Sequence, residues 1–297
     1  MQGWRRTMED AHLVALNVGP DHDTHIFGVF DGHGGREVAV YAKNHFTKIF
    51  LNNKAYLLGN IKTALVETFI QIDKEIQTIP GMKELTQEHK KFIDEFSLNG
   101  PKEEYALEYD PKKGYIDNIA FNIGCTANVL IMHKNKCYFA NAGDSRSIIL
   151  RKGESIVMST DHKPDLPNEY ERIRKCGGTI EQGRVNGMLN LSRSLGDTEF
   201  KQKKNVHPKE QIISCVPDVL YEDLQKADDF VVIACDGIWE CMNNEQVSDY
   251  IYDKIRNNSS ITLQQIVDDM FEKNVAKSIE CENGCDNMTC IIIQFKK

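Results

Sequence analysis

Three aspartates stand where an apolar, strand-like run gives way to a glycine or a turn: Asp31 in HIFGVFDGHGG, Asp236 in DDFVVIACDGIWE and Asp286 in GCDNMTCIIIQF. A fourth acidic pair, Glu9 and Asp10, lies in WRRTMEDAH near the N-terminus. A carboxylate at the end of a buried strand resists desolvation unless something neutralises it. Where several converge on one site, a hard divalent cation is the usual neutraliser.

The runs leading to these residues are rich in β-branched and aromatic side chains and bounded by Gly, Asp and Asn, which predicts strands over Thr24–Phe30, Cys125–Met132, Cys137–Ala142, Ser147–Arg151, Phe230–Cys235 and Met288–Phe295. Lys134-Asn135-Lys136 and Gly143-Asp144-Ser145 are short enough to close antiparallel hairpins. Between the strands, Arg36–Phe50, Ile61–Gln77, Glu245–Ile255 and Leu263–Phe271 carry apolar residues at helical spacing. Paired helices and meander-like strand groups favour antiparallel sheets with helices packed outside. Pro80–Asn118 is polar, rich in Lys and Glu and punctuated by Gly and Pro, so a long loop is expected there, with a weak amphipathic helix over Lys83–Phe96.

A net charge of −8 excludes the basic face of a nucleic-acid binder and leaves room for a divalent metal. No apolar run approaches the roughly 20 residues needed to span a bilayer. The nine cysteines are scattered; Cys137, Cys235 and Cys290 sit inside strand-like runs, where free thiols pack as small hydrophobes. Reduced thiols imply a cytoplasmic or nuclear setting.

Taken singly, each acidic residue reads as an ordinary turn. Glycines at 32, 34 and 35 let the backbone approach a ligand, so the Gly32 carbonyl can serve as an oxygen donor, and His33 among them can act as an acid near neutral pH. Asp144 sits in a turn, and Asp286 with Asn287 reads as an Asx turn. Oxygen ligands without a Cys or His pair indicate Mg²⁺ or Mn²⁺ in preference to Zn²⁺.

The segments WRRTMEDAH, FGVFDGHGG, GCTANVLIM, YFANAGDSRSIIL, DHKPDLPNEYERIRKCGGTI, GRVNGMLNLSRSLGD, VVIACDGIWE and GCDNMTCIII together resemble the ordered motif set of the metal-dependent protein serine/threonine phosphatases, the protein phosphatase 2C family. The resemblance runs from Trp4 to Phe295 and implies one catalytic domain over residues 1–297. Its expected fold is an α+β four-layer α/β/β/α sandwich, two central antiparallel sheets flanked by antiparallel helix pairs. The implied activity is hydrolysis of phosphoserine and phosphothreonine in proteins by a monomeric enzyme, through in-line attack of a hydroxide bridging two Mg²⁺ or Mn²⁺ ions. Asp31 would bridge both ions, Asp236 and Asp286 would complete the first site, and Glu9 with the Gly32 carbonyl would serve the second. Asp10 would hold metal-bound water, Arg5 would grip the substrate phosphate, and His33 would protonate the leaving alkoxide.

A third ion, found in some relatives, would use Asp144 with Asp236, but the last position of that set is Glu240 here. Members carry an extra strand upstream of the first motif, so a truncated N-terminal strand is a further expectation. Pro80–Asn118 is longer than is usual in the family and is expected to be a regulatory or docking insertion. Lys163–Asp197 corresponds to the family's flap, with glycines suiting a mobile element; Arg184, Asn186 and Arg193 within it would either contact phosphoprotein or hydrogen-bond structurally. Two other readings stand beside phosphoprotein hydrolysis: a catalytically silent scaffold on the same fold, and a metal-dependent hydrolase of small phosphate esters.

Overall fold

The computed structural model describes residues 1–96 and 107–296. The first sheet contains Ala11–Val18 (β1), Thr24–Phe30 (β2), Ala127–His133 (β3), Lys136–Ala142 (β4) and, downstream, Asp218–Asp223 (β7). The second contains Arg146–Arg151 (β5), Glu154–Val157 (β6), Asp228–Ala234 (β8) and Cys290–Gln294 (β9). Strand order is β1-β2-β3-β4-β7 in one and β9-β8-β5-β6 in the other, with every pairing antiparallel. Helices Glu37–Leu51 (α1), Ile61–Glu75 (α2) and Ile79–Phe96 (α3) follow β2, Pro167–Cys176 (α4) lies in the flap, and Asn244–Asn257 (α5) and Leu263–Asn274 (α6) follow β8. The protein is the expected α+β sandwich, with the outer layers formed by α1–α3 on one side and α5–α6 on the other.

Period-two alternation sorts the strand residues between layers. In β2, Ile26 and Phe30 pack with the helices, whereas Phe27 and Val29 face the second sheet. In β8, Phe230, Val232 and Ala234 meet α5 and α6, while Val231 and Ile233 meet the first sheet. Both faces are buried, which is why these two strands read as continuous apolar runs. The core beneath α1 and α2 is aromatic: the Phe46 ring lies 6.3 Å from Phe30 at a tilt of 50°, stacks 6.2 Å from Phe50 and meets Phe69 edge-on at 5.8 Å. Asn243 and Thr262 close capping boxes with Gln246 and Gln265, fixing the starts of α5 and α6.

One of the hairpin expectations holds and two other expectations are corrected. Lys134-Asn135 does close a hairpin, since His133 pairs with Lys136. Gly143-Asp144-Ser145 does not: β4 and β5 belong to different sheets, so this segment crosses between layers. Pro80–Asn118 is not a loop throughout. Its first part is the 18-residue helix α3, with Leu85, Thr86, His89 and Phe92 on its buried stripe. Pro80 and Gly81 occupy the first turn, where a helix tolerates them. The proposed insertion's middle, 97–106, lies outside the described residues.

The flap is equally structured. It contains α4, ended by Gly177 in the left-handed conformation at φ 96°, and a small hairpin pairing Ile180–Glu181 with Arg184–Val185. Ile173 and Val185 share a small core with Phe200 and Ile213 just downstream. Among the described residues, no helix is long and apolar enough to cross a membrane.

Phe46 is fully buried within its aromatic cluster. Phe46→Ala is expected to lower the unfolding free energy by about 3–5 kcal/mol, read as a reduced denaturation midpoint with an unchanged slope.

Candidate metal centre

Antiparallel pairing decides where the acidic residues go. β1 runs against β2 with Ala11 opposite Phe30, so Glu9 and Asp10 lie beside Asp31. β9 runs against β8 with Cys290 opposite Ala234, which brings Asp286 to the end where Asp236 leaves the sheet. β4 ends at Ala142, next to the start of β3, so the crossover carries Asp144 to the same end. Two short pairings, Gly32–His33 with Gly124–Cys125 and Gly124–Cys125 with Leu195–Gly196, extend this edge beyond the sheets.

The result is a cleft of about 660 Å³. Asp31, Asp236, Asp286 and Glu9 line it together with Gly32. Arg5, His33, Asp144 and Glu240 also reach it. Asp10 lies below: one of its carboxylate oxygens, one of Asp31's and the Cys235 sulfur lie within 4.8 Å of one another.

Several of these carboxylates are preset by neighbours. Thr7 Oγ1 donates to Glu9 Oε1 at 2.6 Å and the Gly35 amide to Glu9 Oε2 at 3.0 Å. Arg5 Nη2 lies 2.6 Å from Asp286 Oδ2, and the Asn287 amide donates to Asp286 Oδ1 at 2.7 Å. Asn287 ties the N-terminal segment to this loop, accepting from the Glu9 amide at 2.8 Å and donating to the Gln2 and Thr7 carbonyls. Thr289 Oγ1 donates to Asp10 Oδ2 at 2.7 Å, but the buried Asp10 Oδ1 has no partner. Asp144 accepts from the Lys163 ammonium.

Charge crowding dominates the electrostatics. Burial raises the Asp31 pKa well above the carboxylate range, and the charges of Asp10 and Asp236 raise it further. Burial, with Asp144 and Glu240, pushes Asp236 up to about 8. Asp10 rises to about 6, again through burial, despite the Thr289 hydrogen bond. Glu240 is raised by burial and by Asp286. Burial and the same acids push the Cys235 thiol far up, so it stays protonated, donating to the Asn287 carbonyl and receiving the Thr289 amide.

The donor set is therefore oxygen-based, crowded, and left with an orphaned buried carboxylate oxygen. These features suit a hard divalent cation such as Mg²⁺ or Mn²⁺. Gly32 packs directly on the Glu9 backbone, where a Cβ would come within 2.4 Å of the Glu9 carbonyl.

Next to Gly32, His33 Nε2 lies 2.9 and 2.8 Å from the two carboxylate oxygens of Asp197. Burial disfavours the imidazolium, yet the Asp197 charge and hydrogen bond outweigh it and the His33 pKa is raised. Asp197 is held in turn by Ser194 and adopts a left-handed φ of 47°. Its sequence signal was its place at the end of SRSLGD, without anything in the chain to pair it with His33, 164 residues away.

The flap residues divide. Arg184 lines the cleft, with its guanidinium on the Met188 carbonyl at 2.7 Å. Arg193 is buried and does not line the cleft, donating to Glu169 and to Asp218. Asn186 accepts from the Thr179 amide at 2.8 Å and shapes the hairpin.

With this geometry established, the comparisons are specific. The model of the family described as protein phosphatase 2C matches residues 1–91 and 83–279. "Probable protein phosphatase 2C 6" of Paramecium tetraurelia is 43% identical over 296 residues, covering 100% of this chain and 90% of the relative. "Probable protein phosphatase 2C 11" of Oryza sativa subsp. japonica is 40% identical over 310 residues, covering 100% and 84%. A crystal structure of a phosphatase from a pathogenic strain of Toxoplasma gondii superposes with a TM-score of 0.71 at 23% identity, covering 99% of this chain and 90% of that one.

The carboxylate shifts carry a sign. Raised folded-state values mean that the metal-free fold binds more protons than the unfolded chain above the ordinary Asp value of 3.8. For Asp236 this contribution to stability is lost as pH rises from about 4 through the folded value of about 8. Melting of the metal-free protein should show this group's loss over pH 5–8. Adding Mn²⁺ at pH 7 should raise the melting temperature and release protons, measurable in buffers of different ionisation enthalpy.

Proposed function

The chain belongs to the protein phosphatase 2C family and is a protein serine/threonine phosphatase, and from that premise we propose that two Mg²⁺ or Mn²⁺ ions serve in-line hydrolysis of phosphoserine and phosphothreonine at this cleft. Asp31 would bridge the two positions. Asp236 and Asp286 would complete one, and Glu9 with the Gly32 carbonyl the other; Asp144, Asp236 and Glu240 offer a third. When bound, the ions supply a water acidified enough to attack phosphorus and positive charge facing the phosphoryl oxygens. The observation that carries this reading is the convergence of Glu9, Asp31, Asp236 and Asp286 on one cleft above the unpartnered Asp10 oxygen.

The side chains divide the remaining work. Asp10 Oδ1 is free to accept a hydrogen bond from water and orient it. Arg5 is largely exposed beyond its contact with Asp286, so its guanidinium can swing onto a phosphoryl group, which its fork fits better than an ammonium would. His33, whose pKa is raised by the Asp197 charge and hydrogen bond, would donate its proton to the departing serine or threonine oxygen. The cleft is open and polar, which suits a phosphorylated side chain on a protein surface. One chain supplies every group named, so the reaction needs no second subunit. All nine cysteines are free, in keeping with a reducing cytoplasmic or nuclear setting.

Dephosphorylation of a phosphothreonine peptide with Mn²⁺ or Mg²⁺, with and without chelator, tests the reading; turnover that survives complete metal removal would sink it. Asp236→Asn is expected to keep the fold and lose at least the roughly 10–100-fold that disturbing a metal's outer partners costs. Near-normal turnover would show that the metal lies elsewhere.

His33→Ala should lower kcat by about 10²–10⁴-fold. Asp197→Asn should lower it less and move the alkaline fall of the kcat–pH profile to lower pH, because the acid must be protonated and loses the charge that raises its pKa. An unmoved profile would free Asp197 from this role.

A further inference from the structure

Residues 32–35 lead directly into α1, and the first residues of α1 are gripped by a helix that the proposed chemistry does not use. Arg36 Nε donates to Glu88 at 3.0 Å, its two terminal nitrogens fork onto Glu95 at 2.5 and 3.0 Å, and its guanidinium carbon lies 5.6 Å from the Phe92 ring centroid. All three partners belong to α3.

The next residue, Glu37, is 1% exposed. His89 of α3, itself buried, places Nδ1 at 2.6 Å from Glu37 Oε1. The other oxygen, Oε2, is buried and has no hydrogen-bond partner. It rests against Gly35, where a Cβ would come within 2.2 Å of it. The Gly35 amide is the group that donates to Glu9 Oε2 at 3.0 Å. A continuous path thus runs from α3 through His89, Glu37 and Gly35 to Glu9.

We propose that Glu37 and His89 are positioning residues: they hold the Gly35 amide on Glu9, so that the docking of α3 sets metal affinity at the position served by Glu9. The proposal rests on the two-ion reading above. Its physical basis is the immobility of a buried carboxylate. Glu37 cannot leave His89 without stranding its whole buried carboxyl group with no hydrogen-bond partner, so it forms a fixed wall behind Gly35. Gly35 has φ 143°, a backbone state that side chains rarely adopt, and the wall limits its relaxation. Glu9 then keeps both donors, Thr7 and Gly35, and is held in one orientation before any ion arrives. Outer partners of this kind typically govern 10–100-fold of a metal's affinity.

Calorimetric titration of the metal-free chain with Mn²⁺ provides the test. In His89→Ala, one class of site should weaken by about tenfold or more while the other keeps its affinity. His89→Gln, which retains a donor towards Glu37, should recover most of the loss. In ¹⁵N-glycine-labelled protein, exchange of the Gly35 amide should accelerate in the alanine variant. Arg36→Ala loosens the same helix without emptying the core and should shift the same constant in the same direction, which keeps the proposal testable if His89→Ala does not fold. Variants that melt earlier but keep every Mn²⁺ constant would overturn the proposal and leave the pair as packing alone, with the two-ion reading intact. A wild-type chain that binds no Mn²⁺ would overturn both.

Discussion

Desolvation of carboxylates at one edge of the sandwich is the constraint around which the molecule is organised. Asp31 and Asp236 leave adjacent layers at the same end, and antiparallel pairing returns Glu9, Asp10 and Asp286 to meet them. Without a counter-charge, such an arrangement costs folding energy, and it persists because β2 and β8, the strands that lead to Asp31 and Asp236, are almost wholly buried. The inter-sheet core of Phe27, Val29, Val231 and Ile233 fixes strand positions tightly enough to hold mutually repelling groups together. The energy of the core thus maintains a site that would not assemble from its own interactions.

Buried acids elsewhere show how different this edge is. Glu169 is equally hidden, yet Arg193 and Arg172 overcome its burial and draw its pKa down to about 2. Asp73 pairs with Lys201 at 2.6 Å and Asp228 with Arg151 at 2.6 Å. These acids brace the flap and the sheets. Asp10, Asp31 and Asp236 make no ion pair among the described residues, and their pKa values move the opposite way. Burial alone does not separate these carboxylates; Asp10, Asp31 and Asp236 differ from Glu169, Asp73 and Asp228 in having no dedicated cationic side chain among the described residues, whereas Asp286 and Asp144 at the same edge are paired with Arg5 and Lys163.

The strands buried on both faces were legible because continuous β-branched runs leave few alternatives: β2 spans Thr24–Phe30 as the pattern predicts. The edge strands β1 and β7 escaped, since each is largely half-exposed and interrupted by polar residues, and pairing rather than composition makes them strands. The helix α3 was obscured for a related reason. Its buried stripe mixes Leu85 and Phe92 with Thr86 and His89, polar residues that become interior only once Ile116 and Glu37 supply their hydrogen bonds. Gly143-Asp144-Ser145 has the composition of a tight hairpin, and only the separation of the two sheets turns it into a crossover.

The chain by itself determined the chemical inventory: oxygen donors after apolar runs, glycines where backbone must approach a ligand, and a histidine among them. Those are local properties, written in consecutive residues. Tertiary structure decided which members meet. The partnership of His33 with Asp197, the tie from Asn287 to Gln2 and Thr7, and the seating of Glu37 between His89 and Gly35 join residues separated by up to 285 positions. No spacing rule encodes such pairs, because their energy is realised only when packing removes water from both partners.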